Sequence, residues 1–147
     1  MRQLLVILGA VVVLVAPACG DDQEKPDKDK LQGEWEAVSS AWGGKGLPAD
    51  VVKKTKLLFK GDEYVLSRNG RDYTVGFRLD PTKTPKEFDA QSAAGGKGKA
   101  EVRKGIYKLE GDTLTICAAL HAEGDRPKEF KSSDGVELSV YKQASKK

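Results

Sequence analysis

The sequence predicts an all-β protein, namely a small eight-stranded antiparallel barrel with up-and-down connections and one short helix after the first strand. Three observations support this fold class. Short runs of residues alternate apolar and polar side chains with a period of two, turn residues separate these runs, and eight such runs follow one another after residue 30. Eight antiparallel strands are enough to close a small barrel whose interior holds side chains or one small ligand.

The first strand lies in the stretch 31–40, LQGEWEAVSS, where a Gly-x-Trp pattern ends at Trp35. Alternation places Trp35 and Ala37 on the core face, and Glu34 and Glu36 on the solvated face. A large indole at one end of a barrel can close it against water. We therefore expect Trp35 to be buried at one end of the barrel.

A short helix is predicted over residues 49–54, after a glycine-rich turn that follows the first strand. Pro48 suits a helix start, because its fixed φ angle is already helical. Asp50 in the first turn and two lysines in the last turn complement the helix dipole. This segment either crosses the surface or lies across one open end of the barrel.

Seven further strands complete the barrel. They cover residues 57–60, 63–67, 72–80, 86–91, 101–109, 113–118 and 136–142. The clearest hairpin is at Asn69-Gly70, because Asn-Gly accepts the positive φ angles of a type I′ turn. In strand 72–80, Tyr73 and Phe77 belong to the face that is expected to point inwards. In strand 113–118, Cys117 belongs to the outer face, where we expect a half-buried free thiol.

The first 18 residues have the pattern of an export signal. Arg2 provides a positive start, an apolar run covers residues 4–16, and Ala16-Pro17-Ala18 matches a small-residue cleavage site. The apolar run is too short for a good membrane span. We therefore expect an exported protein of the periplasm or cell envelope.

Cys19 follows the small residues directly, and this arrangement resembles the lipobox of bacterial lipoproteins. Two alternatives stay open: lipid attachment at Cys19, or ordinary cleavage at the same bond. An N-terminal lipid anchor is the one contact with a membrane that we expect. Residues 19–30 are charged and lack large apolar side chains, which predicts a disordered tether. The barrel domain then covers residues 31–143, and residues 144–147 form a disordered basic tail.

The composition argues against several classes of function. The formal net charge of +3 is mild and its lysines are scattered, so we expect no nucleic-acid binding. Two cysteines and His121 as the single histidine are too few for a zinc site. The glycine-rich loop 92–100 lacks the Gly-Lys-Ser/Thr of a phosphate loop. We expect no metal and no cofactor. Because no catalytic triad is recognisable either, we do not expect an enzyme.

Five segments together resemble the lipocalin-like domain family that is abundant in planctomycete bacteria and has no assigned biochemical role. They are LQGEWEAVSS, GLPADVVKKTKLLFKGDEY, LDPTKTPKEFD, GIYKLEGDTLTIC and RPKEF, in chain order. The resemblance covers residues 29–143. It implies an exported lipocalin-like barrel, in agreement with the signal-peptide pattern.

Two functions are compatible with this fold. The first is a non-catalytic binding module of the cell envelope for a small apolar ligand. The aromatic residues expected to line its cavity are Trp35, Phe59, Phe77 and Tyr107. The second is a tethered structural module with a packed, ligand-free barrel that contacts another envelope protein. The residues expected to make that contact are Trp42, Arg126 and Phe130, because exposed aromatic and arginine side chains often anchor interfaces.

Overall fold

The computed structural model describes residues 25–92 and 100–145, and these form one closed antiparallel barrel. Two five-residue helices are present, α1 Asp27–Leu31 and α2 Ala49–Lys53. The strands are β1 Gly33–Trp42, β2 Lys45–Gly46, β3 Lys56–Lys60, β4 Glu63–Arg68, β5 Arg71–Asp80, β6 Lys86–Ser92, β7 Val102–Glu110, β8 Thr113–Ala119 and β9 Val136–Gln143. The predicted fold class is confirmed.

Eight of these strands make the barrel wall. Each strand from β3 to β8 pairs with the strand that follows it in the chain, and β1 pairs with both β3 and β9. This last pairing closes the sheet and leaves no free edge in the wall. The short β2 is a two-residue extension that pairs with the end of β1. The predicted strand boundaries agree with the observed ones to within a few residues at each end.

The Asn69-Gly70 hairpin has the geometry that the sequence predicts. Asn69 has φ 53° and Gly70 has φ 74°, the two positive values that a type I′ turn requires. The turn holds Arg68 opposite Arg71 and thereby sets the register of β4 against β5.

A β-bulge interrupts β1 at Val38. The register against β9 shifts between Ala37 and Ser39, so the extra residue has no partner and its side chain is 51% exposed. After the bulge, Ser40 points inwards and is buried. Simple alternation would have placed Ser40 on the outer face.

The barrel is sealed at the end where β1 begins. Leu31 and Trp35 are both fully buried there, and the Trp35 indole Nε1 donates a hydrogen bond to the Leu31 carbonyl oxygen at 2.8 Å. Below them lies an aromatic cluster whose neighbouring ring centroids are 5.1–6.4 Å apart, formed by Phe59, Tyr64, Phe77, Phe88 and Tyr107. Trp35 is therefore buried at a barrel end, as expected.

Helix α1 completes the seal, and it includes four residues that were predicted to belong to a disordered tether. The predicted disorder of residues 19–30 does not hold for residues 27–30, which form this helix. Asp27 accepts hydrogen bonds from Lys86 Nζ at 2.7 Å and from the Tyr107 hydroxyl at 2.8 Å, and Lys28 pairs with Asp62. Docking against the barrel thus orders a segment whose charged composition alone predicts disorder. The signal peptide and Cys19 lie outside the described residues.

Truncation of the sealing leucine should destabilise the whole domain. Leu31→Ala removes a fully buried side chain and leaves a void beside Trp35, so we expect a loss of about 2–5 kcal/mol in the free energy of unfolding. Urea denaturation followed by tryptophan fluorescence measures it. Val38→Ala, at a half-exposed position, is the control and should change stability by less than about 0.5 kcal/mol. Equal effects of both changes would contradict the sealing role.

The contact of α1 with the barrel should depend on pH. Burial tends to raise the pKa of Asp27, but hydrogen bonds from Lys86 and Tyr107 outweigh this effect and lower it. The stabilisation by ionised Asp27 is therefore complete above the unfolded carboxyl pKa of about 3.9, and is lost as the pH falls through the lower pKa of the folded state.

Unfolding free energies of wild type and Asp27→Asn at neutral pH and at about pH 3 test this dependence. The wild type should be more stable at neutral pH, and the difference should shrink in acid. Asp29→Asn, at an exposed position on the same helix, should show no such pH-dependent difference. A difference for Asp27→Asn that does not change with pH would contradict the assignment.

Candidate functional site: a cavity at the open end of the barrel

The other end of the barrel contains a cavity of about 90 Å³. We call this cavity, with the residues that line it, the open-end cavity. Its wall comes from the ends of β4, β6, β8 and the starts of β3, β7 and β9, so it lies opposite the seal. The lining residues are Leu57, Tyr64, Leu66, Arg68, Phe88, Ala90, Arg103, Ile116, Ala118, Ala119, Glu137, Ser139 and Tyr141.

A buried ion pair lies in this wall. Arg68 Nη2 is 2.6 Å from Glu137 Oε1, and both side chains are less than one-fifth exposed. The same carboxylate oxygen accepts hydrogen bonds from the hydroxyls of Ser40 and Ser139, each at 3.1 Å. These two hydroxyls are 2.8 Å apart. One carboxylate oxygen thus ties together three strands, β1, β4 and β9.

The geometry of this cluster fixes its charge. Burial by itself would lower the pKa of Arg68, but the hydrogen bond and charge of Glu137 outweigh it, so the pKa is raised and the guanidinium stays charged. Burial raises the pKa of Tyr64 to about 12, and it raises that of Tyr141 as well. Both phenols are therefore neutral at physiological pH and can donate hydrogen bonds.

Two exposed aromatic side chains lie at the mouth of the open-end cavity. Trp42 is 52% exposed and pairs with Glu137 across β1 and β9, while Tyr73 is 48% exposed and pairs with Leu66 across β4 and β5. Since paired residues share a face of the sheet, both aromatics continue the inner face beyond the cavity. Tyr73 was expected to be in the core, but its position near the start of β5 leaves its side chain exposed to solvent.

The four aromatic residues predicted to line a cavity are located elsewhere. Trp35, Phe59, Phe77 and Tyr107 are all at most 6% exposed and fill the sealed half of the barrel. None of them belongs to the wall of the open-end cavity. Alternation identified them correctly as inward-facing, but it contains no information about which end of the barrel is packed.

Two of the three predicted interaction residues make contacts within the molecule. The Arg126 guanidinium donates to Asp89 Oδ1 at 2.6 Å and to the Gly105 carbonyl oxygen at 2.7 Å. The Phe130 ring lies under Lys108 Nζ, at 5.1 Å from the ring centroid. Both contacts hold the loop of residues 120–135 against the outer face of β6 and β7. Trp42 is the predicted interaction residue that is left exposed.

This loop also covers Cys117, which is free and fully buried. The expectation of a half-buried thiol is therefore wrong. Cys117 lies on the outer face of β8, as predicted, but its Sγ is 3.5 Å from the carbonyl oxygens of both Glu129 and Lys131 in the loop. Burial raises the pKa of this thiol. A buried, protonated thiol reacts slowly with disulfide reagents.

The loop contact can be measured through Cys117. Arg126→Gln removes charge-assisted hydrogen bonds, each worth about 1.5–3 kcal/mol, so the loop should open more often. We expect the rate of Cys117 modification by a thiol reagent in the native protein to rise about tenfold or more. Lys60→Gln, at an exposed position on β3 at the sealed end, is the control and should leave the rate unchanged. Equal rates in all three proteins would show that Arg126 does not hold the loop.

Neither a membrane-spanning helix nor a metal cluster is found in the described part of the chain. No helix within residues 25–92 and 100–145 is long and apolar enough to cross a bilayer. In the same residues, no three His, Cys, Asp or Glu side chains come together in a way that could hold a metal ion.

Comparison with protein-family models, with curated proteins and with solved structures finds no match to this chain. The fold and the site of residues 25–92 and 100–145 describe a closed eight-stranded barrel with a sealed end and a cavity at its open end.

The sequence did not indicate the charged members of the cavity wall. Arg68 and Glu137 lie near strand ends, where a charged residue is usually solvated, and Arg103 lies near the start of β7. Their inward direction was nevertheless implied by the period of two. Arg68 is in phase with Tyr64 and Leu66, which are both on the inner face.

Proposed function

We propose that the protein is a non-catalytic, lipocalin-like binding module that holds one small ligand in the open-end cavity. The observation that carries this proposal is the asymmetry of the barrel. One half is filled by aromatic side chains and closed by α1, whereas the other half keeps a cavity of about 90 Å³. Small-molecule sites are typically preformed, concave and mostly apolar, and the mouths of β-barrels are among their common locations.

The wall of the cavity supports an apolar ligand body. Nine of its residues offer aliphatic or aromatic surface: Leu57, Tyr64, Leu66, Phe88, Ala90, Ile116, Ala118, Ala119 and Tyr141. The cavity of about 90 Å³ is small beside the ~300–1,000 Å³ of typical small-molecule sites, so the buried part of the ligand is only a few heavy atoms long. A longer ligand would extend past Trp42 and Tyr73 at the mouth.

The cellular setting of this proposal rests on the N-terminal pattern. Residues 1–18 have the features of an export signal, and Cys19 follows them in a lipobox-like context. We therefore place the binding module in the periplasm or cell envelope. The five segments that resemble the planctomycete lipocalin-like family support the same placement.

Filling the cavity should abolish binding. We would titrate the protein with n-butanol, a probe of suitable size, and follow the backbone amide resonances of the cavity wall. We expect saturable shifts with a dissociation constant in about the millimolar range for so few heavy atoms. Ala90→Leu places extra atoms in the cavity and should remove the saturable shifts. Ala118→Val, a smaller addition, should weaken them.

A matched control separates filling from a general effect of added bulk. Ala144→Leu makes the same substitution at the sealed end, where Ala144 donates its backbone N–H to the Glu34 carbonyl oxygen. This variant should bind n-butanol as the wild type does. Thermal melts establish that each variant is folded. Butanoate, which carries a carboxylate in place of the hydroxyl group, serves as a second probe. Failure of the wild type to bind both n-butanol and butanoate would overturn the proposed function.

The alternative is a tethered protein-interaction module with a packed, ligand-free barrel. Half-exposed Trp42 favours this function, because exposed tryptophans are frequent interface anchors. Trp42→Ala distinguishes the two: loss of an envelope partner from the folded variant, together with no saturable n-butanol shifts in the wild type, would favour the interaction module.

A further inference from the structure

The starting observation is a hydrogen-bond donor without a partner. Arg68 Nε is buried and makes no hydrogen bond, and within the described residues it is the one buried side-chain nitrogen or oxygen atom in this state. Leaving a buried donor of a charged group unpaired is costly, and in native structures such atoms commonly mark functional positions or sites of bound water or ligand. Arg68 lies in the wall of the open-end cavity, and because Nε itself has almost no exposed surface, an acceptor bound there would reach it through a small rotation of the guanidinium.

The carboxylate beside Arg68 does not oppose an incoming anion strongly. Glu137 Oε1 already accepts three hydrogen bonds, from the Arg68 guanidinium and from the hydroxyls of Ser40 and Ser139. Its charge is compensated by the ion pair at 2.6 Å. The local negative potential of Glu137 is therefore small.

The guanidinium of Arg103 makes the net charge of the cavity wall positive. Arg103 also lines the cavity and is half-buried, and among the described residues it forms no ion pair. The charged residues of the wall are Arg68, Arg103 and Glu137, so their sum is one positive charge. In a partly desolvated cavity such an uncompensated charge attracts an anion more strongly than it would in water.

We propose that the open-end cavity recognises a small monocarboxylate, with its carboxylate held by Arg68 and Arg103 and its short apolar chain against the aliphatic wall. This inference rests on the proposed function and names its ligand class. Arginine suits this role because its planar guanidinium presents several donors to a carboxylate in a fixed geometry. The apolar part contacts Leu66, Ala90 and Ile116, which belong to three different strands.

The test compares two probes that differ only in the polar end, butanoate and n-butanol, by titration of the cavity-wall amides. The wild type should bind butanoate at least about tenfold more tightly, because charge-assisted hydrogen bonds are stronger than neutral ones. Arg68→Lys keeps a positive charge for Glu137 but removes Nε. Arg103→Gln removes the second guanidinium and breaks no ion pair of the described residues.

Each of these two variants should weaken butanoate binding about tenfold and so reduce the ratio of butanoate affinity to n-butanol affinity. Arg78→Gln, on the outer face of β5, should change neither. Thermal melts confirm folding, and Arg103→Gln keeps the proposal testable if Arg68→Lys is unstable.

Three results would overturn the inference. Equal affinity for the two probes would remove the carboxylate preference while leaving a binding module in place. A preference for butanoate that survives both arginine substitutions would place the anion elsewhere. Failure of both probes to bind would overturn the proposed function together with its ligand class.

Discussion

The antiparallel pairing of β1 with β9 is the constraint on which the interior of this protein depends. It joins the first and last strands of the barrel, and the bulge at Val38 adjusts their register. Because of that shift, Ser40 faces inwards opposite Ser139, and both hydroxyls reach Glu137. The β1–β9 pairing therefore both closes the barrel and brings together the polar residues of the cluster.

The two halves of the interior are built on different physical principles. In the sealed half, aromatic rings pack edge to face or stacked and exclude water, which is favourable because apolar area is removed from solvent. In the open half, a buried ion pair adds little net stability, because desolvation of two charges offsets their attraction. Packing at one end thus supplies the stability that lets the other end keep polar groups and free volume.

Strand β4 shows how much of this the sequence could predict. The sequence predicted a strand over residues 63–67 and the Asn69-Gly70 turn that follows it, and both are observed. The period of two continues from Tyr64 through Leu66 to Arg68, but a charged residue at a strand end is usually assigned to solvent. Only the partner of Arg68 on β9, which is 69 residues further along the chain, makes its burial possible. Such a distant pairing leaves no local signal.

Helix α1 escaped prediction for a related reason. Five residues of mixed charge do not form a stable helix in isolation, and this one exists because Leu31 and Asp27 bind to the barrel. The eight strands of the wall, in contrast, were predictable apart from the bulge at Val38, because most of them contain their own alternation. Local patterns in this chain determine the wall, and distant contacts determine what fills it.

Both ends of the described barrel lie at the same pole of the molecule, opposite the mouth of the cavity. Helix α1 leads into the sealed end, and the last strand returns there, where the backbone N–H groups of Gln143 and Ala144 bond to Asp112 and Glu34. Both ends of the described barrel therefore emerge at one pole, and the mouth opens at the other. A surface that contacts the barrel at the pole of the chain ends would leave the mouth facing outwards, accessible to molecules that diffuse in the surrounding medium.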